Sequence, residues 1–98
     1  MKNPVAIVGW GETALGVVPG VTPLELTVQA SLAALKDVGL QRQDVDGLVS
    51  CNSLVQPIMY HAEATAEYAG LNPRHCLTVG TGGGTTYTAV RHAAAAIA

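Results

Sequence analysis

Three short apolar runs alternate with three helix-patterned stretches, and glycine or proline punctuates nearly every junction. Residues 5–10 form a continuous apolar run ending in Gly9-Trp10-Gly11, which suits a strand buried on both faces. A turn-rich stretch with Gly16, Pro19 and Gly20 follows, and then the best-signed element of the chain. Thr22 is placed as an N-cap, Pro23 as the first helical residue, and Glu25 as the partner that completes a capping box. Leu24, Val28, Leu32 and Leu35 recur at helical spacing with Ala30, Ala33 and Ala34 beside them. Gly39 is the expected stop, with Leu40 placed for the hydrophobic contact that often follows it. Residues 45–51 read as a second strand, led in by the polar turn 41–44, and residues 58–69 as a second helix closed by Gly70. Residues 75–79 read as a third strand, 80–84 as a glycine loop and 85–98 as a third helix. The order β-α-β-α-β-α predicts an α/β layered fold with a largely parallel sheet. Ligands of such sheets bind beyond the carboxyl ends of the strands, here residues 9–13, 51–53 and 80–86.

Composition narrows the function classes. With 98 residues there is room for one domain at most. A hydrophobic content of 49% and a net charge of −2 exclude disorder. Five Lys and Arg, scattered along the chain, exclude a nucleic-acid footprint. The apolar run at residues 5–8 is too short for a signal peptide, and no stretch has transmembrane length, so the expected compartment is the cytoplasm, with no membrane partner. Cys51 and Cys76 stand singly, in neither metal nor redox spacing, and no disulfide is expected. Charged residues are few for a small domain's surface, while Ala and Gly are many and Phe is absent. The last helix carries no stop signal either. Both features suggest one slice of a larger buried assembly.

Gly9-x-Gly11-x-x-Ala14 satisfies the dinucleotide-binding pattern, but that mechanism needs a helix to begin inside the motif. Here the helix begins at Thr22, so Gly9 and Gly11 are read as tight-turn residues. The loop Gly80-Thr81-Gly82-Gly83-Gly84-Thr85-Thr86 lacks the lysine of a phosphate-binding loop. Two readings stand for it: backbone N–H groups gathered for an anion or developing oxyanion, or glycines required by close backbone packing. Cys51, at the end of the second strand, is either a nucleophile partnered by His61, His75 or His92, or a small core residue. His61-x-Glu63 matches half of a zinc deaminase signature without the Pro-Cys-x-x-Cys half, so no metal is expected. Tyr60, Tyr68 and Tyr87 are read as half-buried helix residues with polar tips.

Several segments, in order, resemble the thiolase superfamily, particularly its sterol-carrier and lipid-transfer-protein branch. Val5-Ala6-Ile7-Val8-Gly9-Trp10-Gly11-Glu12-Thr13 looks like its opening strand, and Thr22-Pro23-Leu24-Glu25-Leu26 through Leu40 like its first helix. Asp44-Val45-Asp46-Gly47-Leu48-Val49 is similar to the entry to its second strand, and residues 75–98 to the strand, active-site loop and helix. The resemblance implies that residues 1–98 are the N-terminal part of a thiolase-like domain whose C-terminal remainder lies outside the chain. Thiolases carry a nucleophilic Cys at the start of the third helix, where the helix dipole lowers the thiol pKa. The register from Val79 puts Gly83 there, and neither Cys76 nor Cys51 substitutes for it.

A glycine triplet at that place is similar to the thiolase-like aldolases of steroid side-chain breakdown. These cleave a β-hydroxyacyl-CoA by a retro-aldol reaction with no covalent intermediate, using a base from the C-terminal half. The resemblance implies substrate binding by Gly82, Gly83, Gly84, Thr85 and Thr86, with CoA entering as part of the substrate and no separate cofactor. It implies a homodimer with His75, Cys76, Leu77, Thr78 and Val79 at the two-fold axis, and an OB-fold partner that helps bind the acyl-CoA. An acetyl-CoA acyltransferase of the same branch and a non-catalytic subunit of a complex are the alternatives.

Overall fold

The computed structural model describes residues 4–16 and 18–97. Helix α1 (Pro23–Asp37) starts as its sequence dictates: the Glu25 N–H donates to Thr22 Oγ1 at 3.2 Å. The return arm differs from a capping box, because Glu25 Oε1 accepts from the Thr22 hydroxyl at 3.3 Å. At its other end Gly39 adopts φ +71°, and the Leu40 N–H reaches the Leu35 carbonyl at 3.0 Å while the Gly39 N–H reaches Lys36 at 3.2 Å. These are the paired bonds of a Schellman stop, which satisfy carbonyls the helix itself cannot. Helix α2 (His61–Ala69) ends the same way at Gly70, with φ +74° and the Leu71 N–H on the Ala66 carbonyl at 2.8 Å.

Strands β1 (Gly47–Cys51) and β2 (His75–Val79) pair in parallel, with Gly47 opposite His75 and Cys51 opposite Val79. Helix α3 (Thr85–Ile97) follows β2 and packs on both strands, as α2 also does. The architecture is therefore mixed α/β with a two-stranded parallel sheet. The residue expected to end the third helix, Ala98, lies outside the described residues. The second helix starts three residues later than its pattern suggests, because Tyr60 takes a left-handed conformation (φ +58°) just before it.

The strand expected at residues 5–10 does not form. This segment joins no ladder, and Ile7, Val8 and Trp10 are exposed. It lies instead along α1, where the Trp10 N–H donates to Asp37 Oδ2 at 3.4 Å. A Cβ on Gly11 would strike the Ala30 carbonyl oxygen and the Ala34 nitrogen of α1, and one on Gly9 would stand 2.8 Å from Val38 Cγ1. Neither glycine has positive φ, so their reason is close approach to a helix and not a tight turn. Among the described residues β1 is paired with β2 on one side only, and the 5–10 run packs on α1 and does not take the open edge.

The core is small and centred on α2. Ala62, Ala66 and Ala69 are buried there, with Val28 from α1 and Val79 from β2. Three polar residues share that interior: Ser50, His61 and Thr65.

Candidate active site

Strands β1 and β2 run in register to Cys51 and Val79, so the loops that leave them emerge at one end of the sheet. The second of these is the glycine loop. Gly82–Gly84 form one tight helical turn that passes directly into α3, and Gly82 holds φ +63°. Gly82, Gly83, Gly84 and Thr86 are exposed, and Thr85 is half-buried. A Cβ built on Gly80, Gly82 or Gly83 meets no atom within 4 Å, and on Gly84 the nearest is Thr81 Oγ1 at 3.9 Å. Among the described residues, close backbone packing, one of the two readings of this loop, does not account for its glycines. At Gly82 the reason is conformation; at Gly83 neither conformation nor space within the described residues calls for glycine.

Hydroxyl groups hold the loop in shape. The Thr81 N–H donates to Thr85 Oγ1 at 2.9 Å, and the Thr85 hydroxyl donates to the Gly82 carbonyl at 2.6 Å. Thr81 Oγ1 meets Thr88 Oγ1 at 2.9 Å, and the Thr88 hydroxyl donates to the Gly84 carbonyl at 3.2 Å. Thr85 is therefore engaged inside the loop. None of Gly82, Gly83, Gly84, Thr85 and Thr86 carries an acid or base.

The neighbouring loop, after Cys51, carries Leu54, Val55, Met59 and Tyr60, all well exposed. Cys51 is half-buried, and the described structure gives it no histidine partner. His61 turns to the core, where Nδ1 lies 2.9 Å from Ser50 Oγ on β1. The Thr65 hydroxyl donates back to the His61 carbonyl at 2.8 Å, and the Ala62 N–H, one of the orphan donors of the α2 start, reaches Thr78 Oγ1 on β2 at 2.9 Å. These bonds pin the first turn of α2 to both strands. They were missed in the sequence because Ser50 and Thr78 lie 11 and 16 residues from their partners, and no local period joins them.

Cys76 opens onto a cleft of about 460 Å³ bordered by Asn52, Met59, Tyr60 and Glu63. Burial, and then the hydrogen bond and negative charge of Glu63, push its thiol above the ordinary range, the opposite of an activated nucleophile. Along β2, His75 is exposed, Cys76, Leu77 and Thr78 are half-buried, and Val79 is buried. The strand's only ladder partner among the described residues is β1. The tyrosines depart from expectation: Tyr60 is 68% exposed, Tyr68 59% and Tyr87 82%, and Tyr60 precedes its helix. Among the described residues no three His, Cys, Asp or Glu gather as a metal site, and no helix is long and apolar enough to cross a membrane.

No family model matches the chain. The chain is similar to a steroid side-chain-cleaving aldolase of Thermomonospora curvata, 36% identical over 99 residues. That alignment takes in 100% of this chain and 24% of the aldolase, so the chain spans about a quarter of its relative's length.

Proposed function

We propose that the chain is the N-terminal part of a thiolase-like aldolase that cleaves a β-hydroxyacyl-CoA bearing a steroid side chain. The observation that carries this reading is the 36% identity along the whole chain to a steroid side-chain-cleaving aldolase. Gly83 supports it: the place where the resembling thiolases keep a cysteine holds no side chain, and the space before it is open. In the reaction a base takes the proton of the β-hydroxyl, and the Cα–Cβ bond breaks. The oxygen-bearing carbon becomes a carbonyl, and the electron pair passes to the thioester as an enolate, which is then protonated at Cα. Negative charge grows on the thioester oxygen, and backbone N–H groups at Gly82, Gly83 and Gly84 are suited to hold it. Thr85 and Thr86 complete that wall. The base belongs to the part of the protein beyond this chain.

On the same reading CoA arrives with the substrate, no separate cofactor is needed, and the outer edge of His75–Val79 meets a second copy. An OB-fold partner would help hold the acyl-CoA. The test is product analysis with the full-length protein and, where required, its partner. A steroid side-chain β-hydroxyacyl-CoA should yield a carbonyl product and a shortened acyl-CoA, with free CoA neither consumed nor released. Cleavage of a β-ketoacyl-CoA that consumes free CoA and passes through an acylated cysteine would replace this reading with an acyltransferase.

A further inference from the structure

We infer that Thr85 and Thr88 are positioning residues that aim the glycine-loop amides, a role that rests on the aldolase reading of the loop. A hydroxyl has one proton to give. The Thr88 hydroxyl gives its proton to the Gly84 carbonyl, so the bond between the two hydroxyls runs from Thr81 to Thr88. Likewise Thr85 accepts from the Thr81 N–H and gives its proton to the Gly82 carbonyl. Two relays therefore start at Thr81, one from its main chain and one from its side chain. They end on the carbonyls of Gly82 and Gly84.

The Gly82 carbonyl also accepts the Thr85 N–H, so it is held from two directions on the side of α3. A trans peptide sets its N–H opposite its carbonyl. Fixing the Gly82 carbonyl toward α3 thus turns the Gly83 N–H away from the helix. Glycine alone would leave these peptides free to rotate. The threonines supply the rigidity that three consecutive glycines lack, and Thr88 does so from a full turn inside α3, away from the reacting atoms.

The test uses the full-length protein with Thr88→Val, Thr88→Ser and Thr81→Val, read by amide hydrogen exchange at Thr81 and Thr85, whose N–H groups the loop bonds hold, without substrate and by steady-state kinetics. Thr88→Val should speed loop exchange by about 3- to 10-fold, the loss of one hydrogen bond. It should lower kcat by a similar factor with KM little changed, because the donor is aimed at charge that develops in the transition state. Thr88→Ser keeps the oxygen and should restore both readouts. Thr81→Val, at an exposed position, should reproduce the exchange change should Thr88→Val fold poorly. Unchanged loop exchange in the valine variants, or a serine variant as impaired as the valine, overturns the role. Wild-type protein inactive on the aldol substrate while the exchange pattern holds counts against the aldolase reading alone.

Discussion

A methyl group added at Gly11 would run into the backbone of α1, whereas one added at Gly83 would meet no atom within 4 Å among the described residues. Both residues sit in short glycine-rich segments beside a helix, and in the sequence they look alike. Their surroundings give them opposite reasons. At Gly9 and Gly11 the missing side chain lets an extended segment lie against Ala30, Ala33, Ala34 and Val38, so packing accounts for them. At Gly82 left-handed backbone accounts for the residue, and at Gly83 the described residues supply no demand. A glycine that packing requires says little about chemistry. For Gly83, which no contact among the described residues requires, the proposed reason is the substrate in front of it.

Substitutions in the full-length protein test this contrast. The largest effect belongs to Gly11→Ala: its Cβ meets main-chain atoms that cannot yield, and unfolding free energy should fall by about 3 kcal/mol in a denaturant titration. Gly9→Ala should cost about 1.5 kcal/mol, because part of its obstruction is the movable tip of Val38. Gly82→Ala should cost about 1 kcal/mol, the left-handed penalty less the entropy removed from the unfolded chain. If Gly11→Ala proved as mild as Gly82→Ala, the 4–16 segment would not lie on α1 as described, and the contrast would collapse.

Much of this was legible in the sequence where the signals are local. Thr22, Pro23 and Gly39 announced α1 at both ends, and β2 runs over the five residues its pattern marks. The start of α2 was legible only to within three residues, since nothing in Ile58-Met59-Tyr60 announces a left-handed tyrosine. The 5–10 run misled because strand character belongs to a pair of edges and not to one segment. Its apolar residues could describe a buried strand or a segment lying on a helix, and composition does not separate the two. The glycine loop was correctly located between strand and helix, but the threonine relays were not legible. Thr81, Thr85 and Thr88 are spaced as any helix-start threonines are, and only the fold shows which carbonyls they hold. The Ser50–His61 pin was hidden for the same reason: a strand residue and a helix residue meet across a loop.

The smallest expected effect on stability is also the most direct test of the account, and it falls on Gly83. Gly83→Ala in the full-length protein, measured for both unfolding free energy and turnover of a steroid side-chain β-hydroxyacyl-CoA, should leave stability within about 0.5 kcal/mol of wild type. Turnover should drop by about tenfold or more, because the methyl group enters the space proposed for the reacting thioester. A variant that loses stability as Gly11→Ala does, or one that turns over at the wild-type rate, would contradict the assignment of this loop to the site.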